Sequence, residues 1–231
     1  MTIFKELINI WKSDDLLSQA WDESIEMLRF SEKIFDKSIE AIHSNKSKKE
    51  IKVLKQKDKL INDFQQSVRR KVLTHFSVKR NNENIASGLN LIDIVVDAER
   101  IGDYCKNISD LSLLLDSELN CEPISDQIQK IEESVSLRFD KTLEAIEKQD
   151  ELLAKKLLET YKKTVTDISD NIVDGIISNK IQINNPSQSA SLVLYARYLK
   201  RIGAHLKNIT TTIVNPYDKV GYVVTSTSFE D

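Results

Sequence analysis

The chain has 231 residues, 33 of them Lys or Arg and 36 Asp or Glu, for a net charge of −3. Both signs are mixed along the whole length, so the basic stripe that nucleic-acid binding requires is absent. Five glycines and three prolines among abundant Lys, Glu, Leu, Ile and Asp make an all-helical composition, of a length suited to one large domain or two small ones.

The opening stretch MTIFKELINIWKSDD carries charge among its apolar residues and is expected to be neither a signal peptide nor a membrane anchor. No apolar run approaches the ~20 residues that span a bilayer. Leu17, Trp21, Ile25, Leu28, Phe35, Ile39 and Ile42 then step along one helical face. Trp21 belongs to that stripe, whereas Trp11 and Phe30 suit a core or a partner surface equally. After the polar HSNKSKK, Ser47 with Glu50 fits a capping box. A second stripe follows through Leu54, Ile61, Phe64, Val68 and Val72. KRNNEN at 79–84 connects it to a third, through Leu91, Val95, Ala98, Ile101, Cys105 and Ile108. NCEPISD at 120–126 is the best linker, because Pro123 stops one helix and can precede the next.

The pattern restarts beyond it. Ile128, Ile131, Val135, Phe139, Leu143 and Ile146 form a fourth stripe, and Leu153, Leu157, Tyr161, Val165, Ile168 and Ile172 a fifth. SNKIQINNPSQ breaks the pattern. Asn185 and Pro186 then mark a sixth helix, capped by Asn and opened by Pro, which buries Leu192, Ala196, Leu199, Ile202, Leu206 and Ile209. Helices of ~25–30 residues joined by short polar loops predict two tandem three-helix bundles, six long antiparallel helices in all. The repeats are expected over 1–120 and 121–215, with a tail at 216–231 whose β-branched and aromatic residues suit a short extended segment.

The third and sixth helices share a motif: ERIGDYCKNI at 99–108 recurs as KRIGAHLKNI at 200–209. Its place in both three-helix units points to duplication. Gly102 and Gly203 support this, since a helix-interior Gly costs about 1 kcal/mol relative to Ala and implies a close helix contact. Glu99 and Asp103 stand four residues apart on one face and Asn107 continues the row. Two carboxylates and an amide oxygen suit Mg²⁺, Ca²⁺, Mn²⁺ or iron. The same residues equally suit a solvated acidic face, with Arg100 and Lys106 as surface partners.

The longer string DAERIGDYCKNI, 97–108, resembles the signature of the PhoU family, approximately Asp-x-Glu-Arg-Ile-Gly-Asp-x-x-x-Asn-Ile. Asp97, Glu99, Arg100, Ile101, Gly102, Asp103, Asn107 and Ile108 match it. YLKRIGAHLKNI, 198–209, is similar to a second copy without its acids. The resemblance implies a cytoplasmic, dimeric, non-catalytic regulator of phosphate homeostasis. Such a protein acts with a membrane phosphate transporter complex and a sensor histidine kinase, and touches the inner face of the membrane only through them. It also implies a metal held by Glu99 and Asp103. The corresponding second-repeat positions, Lys200 and Ala204, are a degenerate motif that cannot serve. An acidic pair on the family's middle helix corresponds to Asp58 and Asn62, and in the second repeat to Lys162 and Thr166. At most one metal site is therefore expected, a divalent or iron ion in the first repeat, with Asp58 contributing and Asn107 as an additional polar ligand. Lys200 is a candidate to supply positive charge where the second metal is lost.

Other chemistries find little support. A ferritin-like di-iron site needs two Glu-x-x-His pairs, and only Glu40 with His43 fits. His75 and His205 lack a partnering carboxylate pattern. Cys105 and Cys121 have no metal-ligand spacing and suggest a reducing compartment. No nucleophile constellation or phosphate-binding glycine loop is present. The alternatives left open are an accessory subunit of another ion or phosphate carrier and a metal-free helical adaptor.

Overall fold

A computed structural model of the chain describes residues 5–9, 15–44, 47–79 and 85–222. Trp11, residues 80–84 of the expected connection and the tail beyond Tyr222 lie outside the described residues. Residues 5–9 are helical and bury Leu7 and Ile8. The longer elements are α1 (Asp15–Ile42), α2 (Lys48–Gln56), α3 (Asp58–Lys79), α4 (Ile85–Leu114), α5 (Ser125–Lys148), α6 (Glu151–Tyr161), α7 (Asp167–Ile177) and α8 (Pro186–Val214).

These make two tandem three-helix bundles, because two pairs of elements are broken long helices. α2 and α3 are separated only by Lys57, whose backbone N–H reaches back to Leu54 and whose carbonyl accepts from Leu60, the tighter i→i+3 pattern. α6 and α7 are joined through a π turn, Lys162–Thr166. The stripe spacing from Leu157 to Val165 is one residue longer than that from Leu54 to Ile61, and the π turn absorbs the difference. These two breaks are absent from the expected pattern of uninterrupted middle helices.

Elsewhere the local signals hold. Ser47 and Glu50 form both halves of the capping box. Asn185 Oδ1 accepts from the N–H groups of Ser187 and Gln188, with Pro186 opening α8. The stripes of α4, α5 and α8 are buried throughout. Trp21 is buried, and Phe30 is half-buried with its ring 6.3 Å from that of Phe64. The described start of the tail is not extended. Tyr217–Lys219 is a 3-10 turn tied to α8, where Lys207 Nζ donates to the Gly221 carbonyl and the Gly221 N–H donates to Thr211.

α1, α2–α3 and α4 pack as the first bundle, and α5, α6–α7 and α8 as the second. The two bundles meet along α4 against α8 and α1 against α5. The repeated motif helices therefore face each other at the centre. A second repeated string, FDKSIEAI at 35–42 and FDKTLEAI at 139–146, brings α1 to α5. The linker at 115–124, which contains a cis Glu122–Pro123 bond, is pinned to both sides. The Leu119 N–H donates to the Ile42 carbonyl, and the Asn120 N–H donates to Gln188 Oε1 on α8.

Candidate functional site

α4 carries the candidate ligands, and Gly102 sets how closely α3 approaches them. A Cβ at Gly102 would lie 2.6 Å from Cδ1 of Ile61. Gly203 makes the matching contact in the second bundle, where a Cβ would lie 2.9 Å from Cγ1 of Val165. Pairing Ile61 with Val165 places Asp58 opposite Lys162 and Asn62 opposite Thr166, the correspondence expected from the sequence.

This approach puts Asp58, at the start of α3, beside the α4 motif. Burial, followed by the neighbouring Asp103 and Asp58 carboxylates, raises Glu99 above the ordinary carboxylate value, while Arg100 and Arg69 oppose the shift. Asp58 Oδ1 is buried without a hydrogen-bond partner. Glu99 thus stands among other negative groups, an arrangement that calls for positive charge.

The chain's own cations meet part of that need. Lys106 Nζ donates to Asp58 Oδ2 at 3.0 Å, and this bond raises the lysine's pKa. Arg100 donates to Asp103 Oδ2 at 3.0 Å and lies 3.6 Å from Glu99 Oε2. Asn62 Nδ2 reaches Asp58 Oδ2 at 3.5 Å, and Asn107 lies half-buried one turn beyond Asp103. Lys106 thus reaches from α4 to α3 with its side chain still half-exposed. Among the described residues, no group of three or more His, Cys, Asp or Glu side chains is gathered closely enough to hold a metal ion.

In the second repeat Ala204 is half-buried. Lys200 Nζ donates to both carboxylate oxygens of Asp170 on α7, at 2.6 and 2.7 Å. Arg138 on α5, which is 4% exposed, places a further positive charge inside this bundle. Its guanidinium donates to the Leu157 carbonyl at 2.6 Å and to the hydroxyls of Thr160 and Thr164, and lies 5.2 Å from the Tyr161 ring centroid. Burial pulls its pKa down to about 10. Arg138 corresponds to Ile34, which borders the Asp58 pocket in the first repeat. Where one repeat has a carboxylate and an aliphatic side chain, the other has a lysine and a guanidinium.

Asp97 and His205 belong to neither bundle's interior. Asp97 Oδ1 lies 2.7 Å from His205 Nδ1 and accepts from Asn208 Nδ2 at 3.2 Å, across the α4–α8 seam. The expectation that His205 has no carboxylate partner is therefore corrected. The motif repeat makes Asp97 equivalent to Tyr198 and His205 equivalent to Tyr104. The mirrored pair, Tyr198 with Tyr104, meets at 5.9 Å between ring centroids. His43 also has a different partner from the one a Glu-x-x-His pair implies: its Nε2 lies 2.7 Å from Glu132 Oε1 on α5, which also accepts from the buried Tyr195 hydroxyl.

The PhoU domain model matches residues 25–112 and again residues 128–213. A crystal structure of PhoU from Pseudomonas aeruginosa superimposes with a TM-score of 0.73 at 19% identity, covering 86% of this chain and 95% of that one. No curated protein sequence matches the chain. Among the described residues no helix is long and apolar enough to cross a membrane.

Proposed function

The chain belongs to the PhoU domain family, and from that premise we propose that it regulates inorganic phosphate transport and phosphate-responsive signalling by binding rather than by catalysis. The observation that carries this reading is the pair of PhoU domain matches in tandem over most of the chain. The partners are a membrane phosphate transporter complex, a sensor histidine kinase, or both, met from the cytoplasm by a homodimer. Docking biases the partner between its conformations by the difference in affinity for them. The working repeat boundaries are 1–120 and 121–215, followed by a tail at 216–231.

A metal site in the first repeat is part of this proposal. Among the described residues the carboxylates of Glu99, Asp103 and Asp58 are not gathered at ligand distance, so they would have to swing together to hold a divalent or iron ion, with Asn107 as an added ligand and with Lys106 as the competing cation. The partnerless Asp58 Oδ1 and the raised Glu99 carboxyl support it. The ion would supply positive charge between α3 and α4.

Deletion of the gene, followed by measurement of phosphate uptake and of phosphate-responsive expression at high and low external phosphate, tests the reading. Uptake that no longer follows supply is expected. Unchanged uptake and expression would end the proposal. Metal analysis of the purified chain beside Glu99→Ala/Asp103→Ala tests the site, and equal content in both would remove it.

The Lys106–Asp58 and Lys200–Asp170 pairs favour a second reading, a metal-free adaptor in which ammonium groups do the work of ions. A third, an accessory subunit for another carrier, is separated from the first by the same deletion strain: transport of a different ion would change while phosphate uptake did not.

A further inference from the structure

A groove of about 480 Å³ runs between α1 and α2. Ala41, Ile51 and Leu54 lie beneath it, and Val53, 52% exposed, stands on its rim. Three lysines border it: Lys37 from α1, Lys49 from α2 and Lys57 from the break before α3. Lys37 stands close enough to Lys57 for its charge to act on it. Burial, and then the Lys37 charge, pull Lys57 below the ordinary lysine value. The acidic residue on the lining, Glu50, is engaged with Ser47 in the capping box.

The second repeat provides the contrast. Lys141 holds the place of Lys37 in the FDK string and pairs with Glu144 at 2.6 Å. The first repeat keeps an acid at that place, Glu40, but there Lys37 also stands beside Lys57 on the groove. Two like charges held together over apolar side chains repel each other unless an anion joins them. The concave floor adds a second requirement, because an anion alone leaves the apolar surface wet.

We propose that this groove docks an acidic protein segment carrying a carboxylate one helical turn from an exposed apolar side chain. The carboxylate bridges Lys37 and Lys57, Lys49 meets a second acid, and the apolar side chain enters between Ile51, Val53 and Leu54. A flat anionic membrane engages the lysines but does not fill the floor, so a protein segment is the better occupant. The inference rests on the reading of the chain as a binding regulator and says where on the first repeat the partner is held.

The test places p-benzoylphenylalanine at Val53 in the full chain, irradiates cells, and identifies the cross-linked peptide by mass spectrometry. The expected adduct is a protein segment with Asp or Glu within four residues of an apolar residue, and Lys37→Glu/Lys57→Glu lowers its yield at least tenfold. Thermal unfolding of that variant checks that it folds, and Lys37→Gln/Lys57→Gln gives an intermediate loss. A lipid adduct, no adduct, or a yield indifferent to charge reversal overturns the groove. The deletion strain separates the two claims. Phosphate uptake that responds to deletion but not to charge reversal defeats the groove alone. Uptake indifferent to deletion, with the acidic cross-link intact, defeats the functional reading alone.

Discussion

Phe35 and Phe139 hold the same place in the two repeats, and their rings meet across the seam with centroids 5.2 Å apart. Both are at most 1% exposed, so each contributes about 1.5–3 kcal/mol of burial where α1 crosses α5. The residues that follow them, Asp36 and Asp140, are brought together by the same crossing.

That crossing makes stability depend on pH. Burial first, and then Asp140, hold Glu32 and Asp36 above their ordinary carboxylate values. A carboxyl with a raised folded-state pKa contributes stability below its unfolded value and loses it as pH rises through the folded value. Asp140→Asn is therefore expected to stabilise the protein at pH 7 by about 0.5 kcal/mol, an amount limited by solvent screening. The gain should shrink as pH falls through ~4 and vanish by pH ~2.5, where the carboxyls are protonated in both states. Urea unfolding at the two pH values measures this, and an equal gain at both contradicts it.

Lys106→Met leaves Asp58 without its ammonium. Because Lys106 is half-exposed, the expected loss is only about 1 kcal/mol, and Asp58→Asn in the same background should recover most of it. The variant should also bind Mn²⁺ more tightly than the parent chain by calorimetry, since the competing cation is gone. Unchanged affinity would mean that Lys106 and a metal do not share the site.

Gly102 and Gly203 are equivalent in sequence but predict unequal costs. An added Cβ at Gly102 meets the end of the Ile61 side chain, which can rotate aside. At Gly203 it meets a methyl of the stiff, β-branched Val165. Gly203→Ala should lose about 1–2 kcal/mol net of the helix-propensity gain, and Gly102→Ala less than half that. Val165→Ala should relieve Gly203→Ala. Chemical denaturation of the three variants decides the order.

Arg138→Lys keeps the charge but replaces a planar fork with a single ammonium. It cannot serve the Leu157 carbonyl and both threonine hydroxyls together, so a loss of about 1–3 kcal/mol is expected. Amide exchange in residues 157–166 should quicken first, because Arg138 satisfies a carbonyl beside the π turn. Uniform quickening across the second bundle would show that the guanidinium does not support that turn in particular.

Much of the fold was legible because helical burial repeats every three or four residues, and the six stripes named the core. The Ser47–Glu50 and Asn185–Pro186 starts were equally plain, since their partners are local. Arg138 was not, because a basic residue between Val135 and Phe139 reads as solvent-facing. The recurring FDK strings carried the missing signal, by setting it opposite Ile34. The π turn hid in a change of one residue in spacing. The Asp97–His205 contact has no local sign, since it joins two bundles. Glu99 does feel the Asp103 and Asp58 charges, but the sequence alone did not reveal that Lys106 reaches Asp58.

The α4–α8 seam has a consequence for how such a protein can change. In an isologous interface between identical subunits, every substitution occurs twice and each contact meets its own mirror image. Here both halves belong to one chain, so the mirrored places can differ. Asp97 meets His205 on one side while Tyr198 meets Tyr104 on the other. Covalent linkage fixes which half faces which, and that frees one half to specialise in recognition while the other serves as scaffold.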